Sequence, residues 1–509
     1  LTTPQHIYQL IGQMFMVGFH GHTAPDYLLD WLRAGRVGGV ILFARNIDTP
    51  QQVADLTRTL HEAAAYPLLI SIDQEGGTVA RLRKGFSESP GALALAGSQG
   101  DPSAATQGAS AVLGREMAAL GINWTYAPVV DITHNTANPT VGTRSFGTDP
   151  ETVGELAAAA VRGFQGAGVA ACAKHFPGLG DTAVDTHLAL PTLDTPTDQL
   201  RTVDLVPYRT ALGADVASIM TTHTIYTDLD PDHPATLSDV VIPRLLRGEL
   251  SYDGVVTTDC MEMKAIDDNY GVLNSVTRAA HASVDIILFS HTPEKQEAAY
   301  EALVKYVEVG ALDWNVIGEA NRRIAAMKAR FPVQTPNPTK VYTTANQETV
   351  KQLARNTITL VRDAGALPLS GPVRLVEFTP FVDSEVQENA DDSTLAHALK
   401  AVSPDLTVQL LPAVPGAADI AALPEQIAET LVIATRNAHR IPSQAEAVAA
   451  LTEHAAPVVL VALRNPYDAH LLDGCTVLVS GGDSRPSLTA VADALMGAFT
   501  PQGRIEVGE

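Results

Sequence analysis

Gly168-Val169-Ala170-Ala171-Cys172-Ala173 runs directly into Lys174-His175-Phe176-Pro177-Gly178-Leu179-Gly180-Asp181-Thr182-Ala183-Val184-Asp185-Thr186-His187. The first six residues are small and apolar and predict a buried strand. The following fourteen pack two histidines, two aspartates and a lysine into a loop bent by Pro177 and two glycines. A buried strand that ends in ionisable groups is how α/β enzymes present their chemistry, at the carboxyl ends of the strands.

Seven further apolar runs bounded by turn residues surround this one, so eight strands are expected: 12–18, 38–43, 67–72, 122–130, 169–173, 217–221, 254–257 and 284–289. Amphipathic stretches at 50–65, 104–120, 150–165, 200–212 and 237–246 predict helices between them. Strand and helix alternating eight times is the pattern of a (β/α)₈ TIM-like barrel, expected over residues 1–331. The proline-rich segment 331–338 cannot continue a helix, and residues 332–347 are expected to form a linker. A helix at 348–355 and apolar runs at 357–361, 373–378, 406–411, 430–434 and 457–463 then predict a smaller α/β sandwich domain over 348–509.

Composition narrows the function. The 509 residues are 46% hydrophobic, enough for two cores, and the formal charge of −23 argues against nucleic acid or an anionic membrane surface as partner. Cys172, Cys260 and Cys475 are far apart and odd in number, so neither a disulfide framework nor a paired-cysteine metal knuckle is expected. No run reaches the ~18 apolar residues that a membrane span requires, and no basic signal-type leader is seen, although the chain begins at Leu1. A cytoplasmic location is expected, with a secreted or periplasmic one as the alternative because a leader can have preceded Leu1, and a monomer or weak dimer acting on a small substrate is expected.

The polar residues that end the predicted strands agree in type. Asp73 ends the third, Asp131 the fourth, Lys174 and His175 the fifth, His223 the sixth and Asp259 the seventh, with Arg144 on a loop. Two reactions suit them. In a retaining glycosidase a carboxylate attacks the anomeric carbon while a second group protonates the leaving oxygen. Asp259 leaves a rigid apolar strand, as a nucleophile requires, and Asp185 stands two residues before His187, where it could bond the ring and raise its basicity. Asp73, Arg144, Lys174 and His175 would then hold sugar hydroxyls. The rival is metal-assisted hydrolysis, because His20 and His22 with Lys174, His175, His223 and Asp259 imitate the ligands of barrel metallohydrolases. Lysine, two histidines and aspartate fall on strands five, five, six and seven here, whereas those enzymes carry them on four, five, six and eight. His175 and His223 can also be read as satisfied strand-end histidines.

The chain resembles the family 3 glycoside hydrolases, in particular their β-N-acetylhexosaminidase branch. The resemblance rests on Ile72-Asp73-Gln74-Glu75-Gly76-Gly77, Ala127-Pro128-Val129-Val130-Asp131, Arg144-Ser145-Phe146-Gly147 and Lys174-His175-Phe176-Pro177-Gly178 with its Asp185-Thr186-His187 continuation. It implies Asp259 as nucleophile, His187 as acid and base with Asp185 as partner, and Asp73, Arg144, Lys174, His175, Asp131 and Met263 as sugar contacts, with no metal or cofactor. Four positions depart from the family pattern: Leu179 stands where histidine is common, Thr78 where arginine is common, and Thr258 and Cys260 flank the nucleophile where serine and then aspartate or leucine are usual.

The function expected is a retaining exo-β-N-acetylglucosaminidase acting on peptidoglycan fragments or chitooligosaccharides. The alternatives are a β-N-acetylglucosaminide phosphorylase, since a neutral imidazole tolerates an incoming anion that a carboxylate would repel, a β-glucosidase, the metallohydrolase, and a binding protein with a lapsed site.

Overall fold

The computed structural model describes residues 4–508 except 183, 383, 388–392, 404, 425 and 454–456. Eight parallel strands form the first sheet: β1 (Phe15–Val17), β2 (Gly39–Leu42), β3 (Leu69–Ile72), β4 (Trp124–Thr125), β5 (Cys172–Phe176), β6 (Ser218–Thr221), β7 (Val255–Cys260) and β8 (Ile286–Phe289). Consecutive strands pair except β4 with β5, and β1 pairs with β8. The seam between β4 and β5 is closed by single bridges, Trp124 with Ala170 and Val129 with Lys174. The sheet is therefore a closed barrel, as the eightfold alternation predicts.

The helices start where the sequence supplies caps. Thr49, Asp101 and Asp149 each accept a backbone N–H with the side chain, and each is followed by a proline, which suits the first helical turn because it lacks an N–H that would be unsatisfied there. Several expected boundaries move. The fourth strand was expected over 122–130, but only Trp124–Thr125 forms a ladder, since Pro128 has no N–H to contribute. Lys174, His175, Asp259 and Cys260 lie within the last residues of β5 and β7 rather than beyond them. The helix expected over 237–246 runs instead over Val241–Glu249, in wide turns that accommodate Pro243.

A second sheet comprises β9 (Thr359–Arg362), β10 (Val373–Phe378), β11 (Leu406–Leu411), β12 (Thr430–Thr435), β13 (Val458–Ala462) and β14 (Thr476–Val479), in the order β9-β14-β13-β12-β10-β11. All pairs are parallel except the edge pair β9 and β14. Alternate residues enter separate cores, Val373 and Leu375 on one face, Val376 and Phe378 on the other. Burial of both faces explains why these strands read as unbroken apolar runs. The helix before β9 spans Thr344–Thr357, starting four residues earlier than expected because the Thr343 side chain caps it.

The second sheet and its helices dock beside the barrel mouth. Arg504 N–H donates to the Gly97 carbonyl at 2.7 Å, and Gln99 N–H to that of Asn356 at 2.8 Å. A Cβ on Gly97 would lie 2.4 Å from the Ile505 side chain, and one on Gly482 2.4 Å from the Pro90 carbonyl oxygen. Only glycine permits backbones so close at this junction.

Candidate active site

A cavity of about 240 Å³ opens at the carboxyl ends of the barrel strands. Phe43, Asp73, Arg144, Lys174, His175, His187, Asp259, Met263 and His291 line it, joined by Glu385 and Val386 of the second sheet's domain. Eight of the nine proposed site residues fall into two groups here, those that face the cavity and Asp185, which holds one of them.

The deepest part is a buried ion network. Lys174 Nζ lies 2.9 Å from Asp73 Oδ1 and 2.7 Å from Glu75 Oε1. Arg144 grips Glu75 with two parallel bonds, from Nε at 2.8 Å and Nη2 at 2.7 Å. Arg81 Nη2 reaches Asp73 Oδ2 at 3.3 Å. Burial disfavours charge, but each charge in this network faces its opposite. Burial acts to raise Asp73 and Glu75, and the Lys174, Arg81 and Arg144 cations overcome it and hold both carboxyls below their usual range. Burial likewise acts to lower Lys174, and the two carboxylates overcome it and keep its pKa raised. Lys174 and His175 are consecutive yet both face the cavity. The pairing register of β5 with β6 shifts between Ala173 and Phe176, which breaks the usual alternation.

Asp131 does not line the cavity. Its side chain is fully buried, with Oδ2 accepting from His175 Nδ1 at 2.7 Å and Oδ1 from the Leu179 backbone N–H at 2.7 Å. With both oxygens taken inside the protein it orients His175 from behind, which corrects the expectation of a direct sugar contact.

On the loop after β5, Asp185 Oδ1 accepts from both His187 Nδ1 at 2.7 Å and the His187 backbone N–H at 2.9 Å. The ring bond commits Nδ1 as donor and leaves Nε2 for exchange with whatever occupies the cavity. Burial acts to depress the His187 pKa, yet the Asp185 bond, with the charges of Asp185, Asp259 and Glu385, outweighs it and leaves a net rise. Burial acts to raise Asp185, but bonds from His187 and Ser384 bring it to about 2. Across the cavity Asp259 Oδ1 accepts the Cys260 N–H at 2.7 Å, which fixes the carboxylate's direction.

The metallohydrolase set is not assembled. His20 and His22 are exposed and do not line the cavity. His223 is buried, with Nε2 2.9 Å from the Cys260 carbonyl and Nδ1 2.8 Å from the Thr236 hydroxyl, so it is a satisfied strand-end histidine bracing β7. Among the described residues, Cys260, Glu262 and His291 bring possible ligand atoms within 4.8 Å of one another. The Glu262 carboxylate is however occupied by the backbone N–H groups of His291 at 2.6 Å and Thr292 at 3.0 Å, where it caps the helix Pro293–Glu308. The Cys260 Sγ lies 2.7 Å from the Ser290 hydroxyl, and burial pushes its thiol up to about 12.

Sequence reasoning missed Glu75, Arg81 and the second domain's share of the wall. Glu75 stands two residues after Asp73, the spacing that keeps two side chains on one face of an extended strand, and this signal was readable. Nothing local announced Ser384 or Glu385.

A barrel mouth with a fixed carboxylate, an imidazole backed by a carboxylate and a polar, charge-balanced floor defines a carbohydrate-cleaving barrel enzyme. A family model described as the glycosyl hydrolase family 3 N terminal domain matches residues 6–327, and the chain belongs to that family and is a glycoside hydrolase. A solved family 3 beta-N-acetylglucosaminidase from Paenibacillus sp. str. FPU-7 is 39% identical, with a TM-score of 0.92 over 99% of this chain and 98% of that one. Beta-hexosaminidase A of Pseudoalteromonas piscicida is 33% identical over 72% of this chain and 69% of its own. A beta-hexosaminidase of Stenotrophomonas maltophilia (strain R551-3) is 37% identical over 59% of this chain and 93% of its own. Among the described residues, no helix is long and apolar enough to cross a membrane.

Proposed function

We propose that the protein is a retaining exo-β-N-acetylglucosaminidase, releasing terminal β-linked N-acetylglucosamine from peptidoglycan fragments or chitooligosaccharides. The observation that carries this reading is the hydrogen-bonded His187–Asp185 pair on the same cavity as Asp259. In the first step Asp259 attacks the anomeric carbon as the glycosidic bond breaks, and His187 Nε2–H passes its proton to the leaving oxygen. In the second step the now neutral His187 takes a proton from water, whose oxygen displaces Asp259 from the sugar and regenerates both groups. Asp73, Arg144, Lys174, His175 and Met263 hold the sugar. The cations among them are neutralised by Asp73 and Glu75, which suits a neutral polar ligand better than a charged one. A pocket of this size, walled on one side by Glu385 and Val386, fits a chain end and supports exo action.

We take residues 1–331 as the catalytic barrel, 332–347 as the connection and 348–509 as the second domain, a division supported by their separate apolar cores. We propose a cytoplasmic location for the protein. A monomer or weak dimer suffices, since one chain supplies every group named.

The test is nitrophenol release from nitrophenyl N-acetyl-β-glucosaminide, with a chelator present and the matching β-glucoside alongside. Turnover of the acetamido sugar alone is expected; turnover of the glucoside alone, or loss with chelator, refutes the reading. A phosphorylase is the second reading, favoured by the imidazole acid/base. The Glu385 carboxylate beside His187 opposes anion entry, and formation of sugar phosphate on adding phosphate decides between the two.

A further inference from the structure

Besides Glu385 and Val386 in the cavity wall, the second domain supplies a side chain that bonds the acid/base pair directly. Ser384 Oγ donates to Asp185 Oδ2 at 2.9 Å, across 199 residues of chain, and Ser384 is only 5% exposed. We infer that Ser384 is a positioning residue for the acid/base, through which the second domain holds the Asp185 carboxylate in the plane that His187 requires. The inference rests on the proposed role of His187.

Three observations support it. The two oxygens of Asp185 are divided: Oδ1 takes both His187 donors and Oδ2 takes Ser384. A carboxylate held at one oxygen can still rotate about its Cβ–Cγ bond, whereas one held at both cannot without losing a bond. Next, the loop that carries the pair shows Val184 42% and Leu188 54% exposed, so packing does little to fix it and a hydrogen bond has more to do.

Finally, described residues on either side of Ser384 are themselves held by hydrogen bonds. The segment leaving β10 is braced by Arg464, which donates to the Phe381 carbonyl at 3.0 Å and to Asp483 at 2.9 Å. Arg436 donates to the Phe378 carbonyl and, at 2.9 Å, to Glu377. The Gln387 N–H closes a turn on the Ser384 carbonyl at 2.9 Å. A side chain fixed this way can transmit the position of one domain to a group in the other.

The experiment compares Ser384→Thr with Ser384→Val, side chains of nearly equal volume that differ in the hydroxyl, beside Ser384→Ala and His187→Ala. For each variant kcat and KM are measured on diacetylchitobiose, whose leaving group needs a proton, and on nitrophenyl N-acetyl-β-glucosaminide, whose first step does not. Thermal melting confirms folding. A general acid supplies ~10²–10⁴-fold, so its imperfect placement should remove on the order of 10-fold. We expect that loss in kcat/KM on chitobiose for the Val and Ala variants, carried by kcat with KM unchanged, and about a twofold effect or less on the aryl glycoside. Thr should restore the wild-type ratio. Wild-type behaviour of folded Val and Ala variants, an equal loss on both substrates, or a loss confined to KM overturns the inference. If His187→Ala loses both substrates equally, the acid role of His187 fails instead, whatever Ser384 does.

Discussion

Asp185→Asn isolates the charge behind the acid/base while keeping its shape. In the wild type the Asp185 carboxylate lies 2.7 Å from His187 Nδ1, on a side chain 5% exposed, and the His187 ring is 23% exposed, so solvent screens the pair little. An opposite charge at this range favours the imidazolium and raises the His187 pKa against the opposing effect of burial. Asparagine keeps an acceptor for Nδ1 but removes that term, and burial, which acts to lower His187, then prevails. The basic limb of kcat/KM, which reports protonated His187 in the free enzyme, should therefore move to lower pH.

At neutral pH the variant loses most of its proton donor and some of its alignment, so kcat/KM on chitobiose should fall on the order of 10²-fold, within the range of general acid catalysis. The loss on the nitrophenyl glycoside should be far smaller. Stability follows by linkage. His187 is raised on folding, so its contribution is complete below its unfolded value of about 6.5 and is lost as pH rises through the folded value. Asp185 is lowered to about 2, so its contribution is complete above its unfolded value and is lost as pH falls through about 2. The variant should thus be most destabilised between about pH 4 and 6.5. The assays are pH–rate profiles on both substrates from about pH 5 to 9 and urea unfolding across the same range. A basic limb that stays in place, or a loss equal on both substrates, refutes the pairing as the source of the acid.

Three further outcomes follow from the same geometry. Asp259→Ala should lose at least about 10³-fold on both substrates, because no glycosyl-enzyme can form, and substantial residual turnover would exclude it as nucleophile. Glu75→Gln removes a buried charge bound by Arg144 and Lys174, which should cost ~3–5 kcal/mol and lower the melting temperature by several degrees; an unchanged transition with full activity would show the network to be dispensable. Lys328 is buried, donates to Gln13 at 2.6 Å, and has its pKa lowered to about 7 by burial. Between that value and about 10.4 the unfolded chain holds the proton and the folded one does not, so wild-type stability should rise with pH over this window. Lys328→Met should flatten that slope and stabilise most at and below about pH 7; a slope equal to that of the wild type in denaturant titrations would refute the assignment.

The eight strands were legible because each is a short apolar run closed by turn residues, and the helix starts because Thr49-Pro50, Asp101-Pro102 and Asp149-Pro150 are local signals. Asp73, Lys174, His175 and Asp259 could be named as one group for a similar reason. A parallel barrel delivers every strand end to the same mouth, so knowing the strands is nearly knowing which side chains meet. Direction and depth were not legible. Whether Asp131 faces a sugar or stands behind His175 depends on the Leu179 backbone folding over it, and whether Arg81 joins Asp73 depends on the hairpin of Gln74–Gly76 with Val79–Ala80. The division, then, is one of range. Apolar periodicity, caps and strand-end chemistry act over a few residues and are written in the sequence by itself. The bond from Ser384 to Asp185 and the cavity wall of Glu385 and Val386 exist only because a second folded unit docks beside the barrel mouth, and no local pattern can encode a contact between surfaces that form only after each unit has folded.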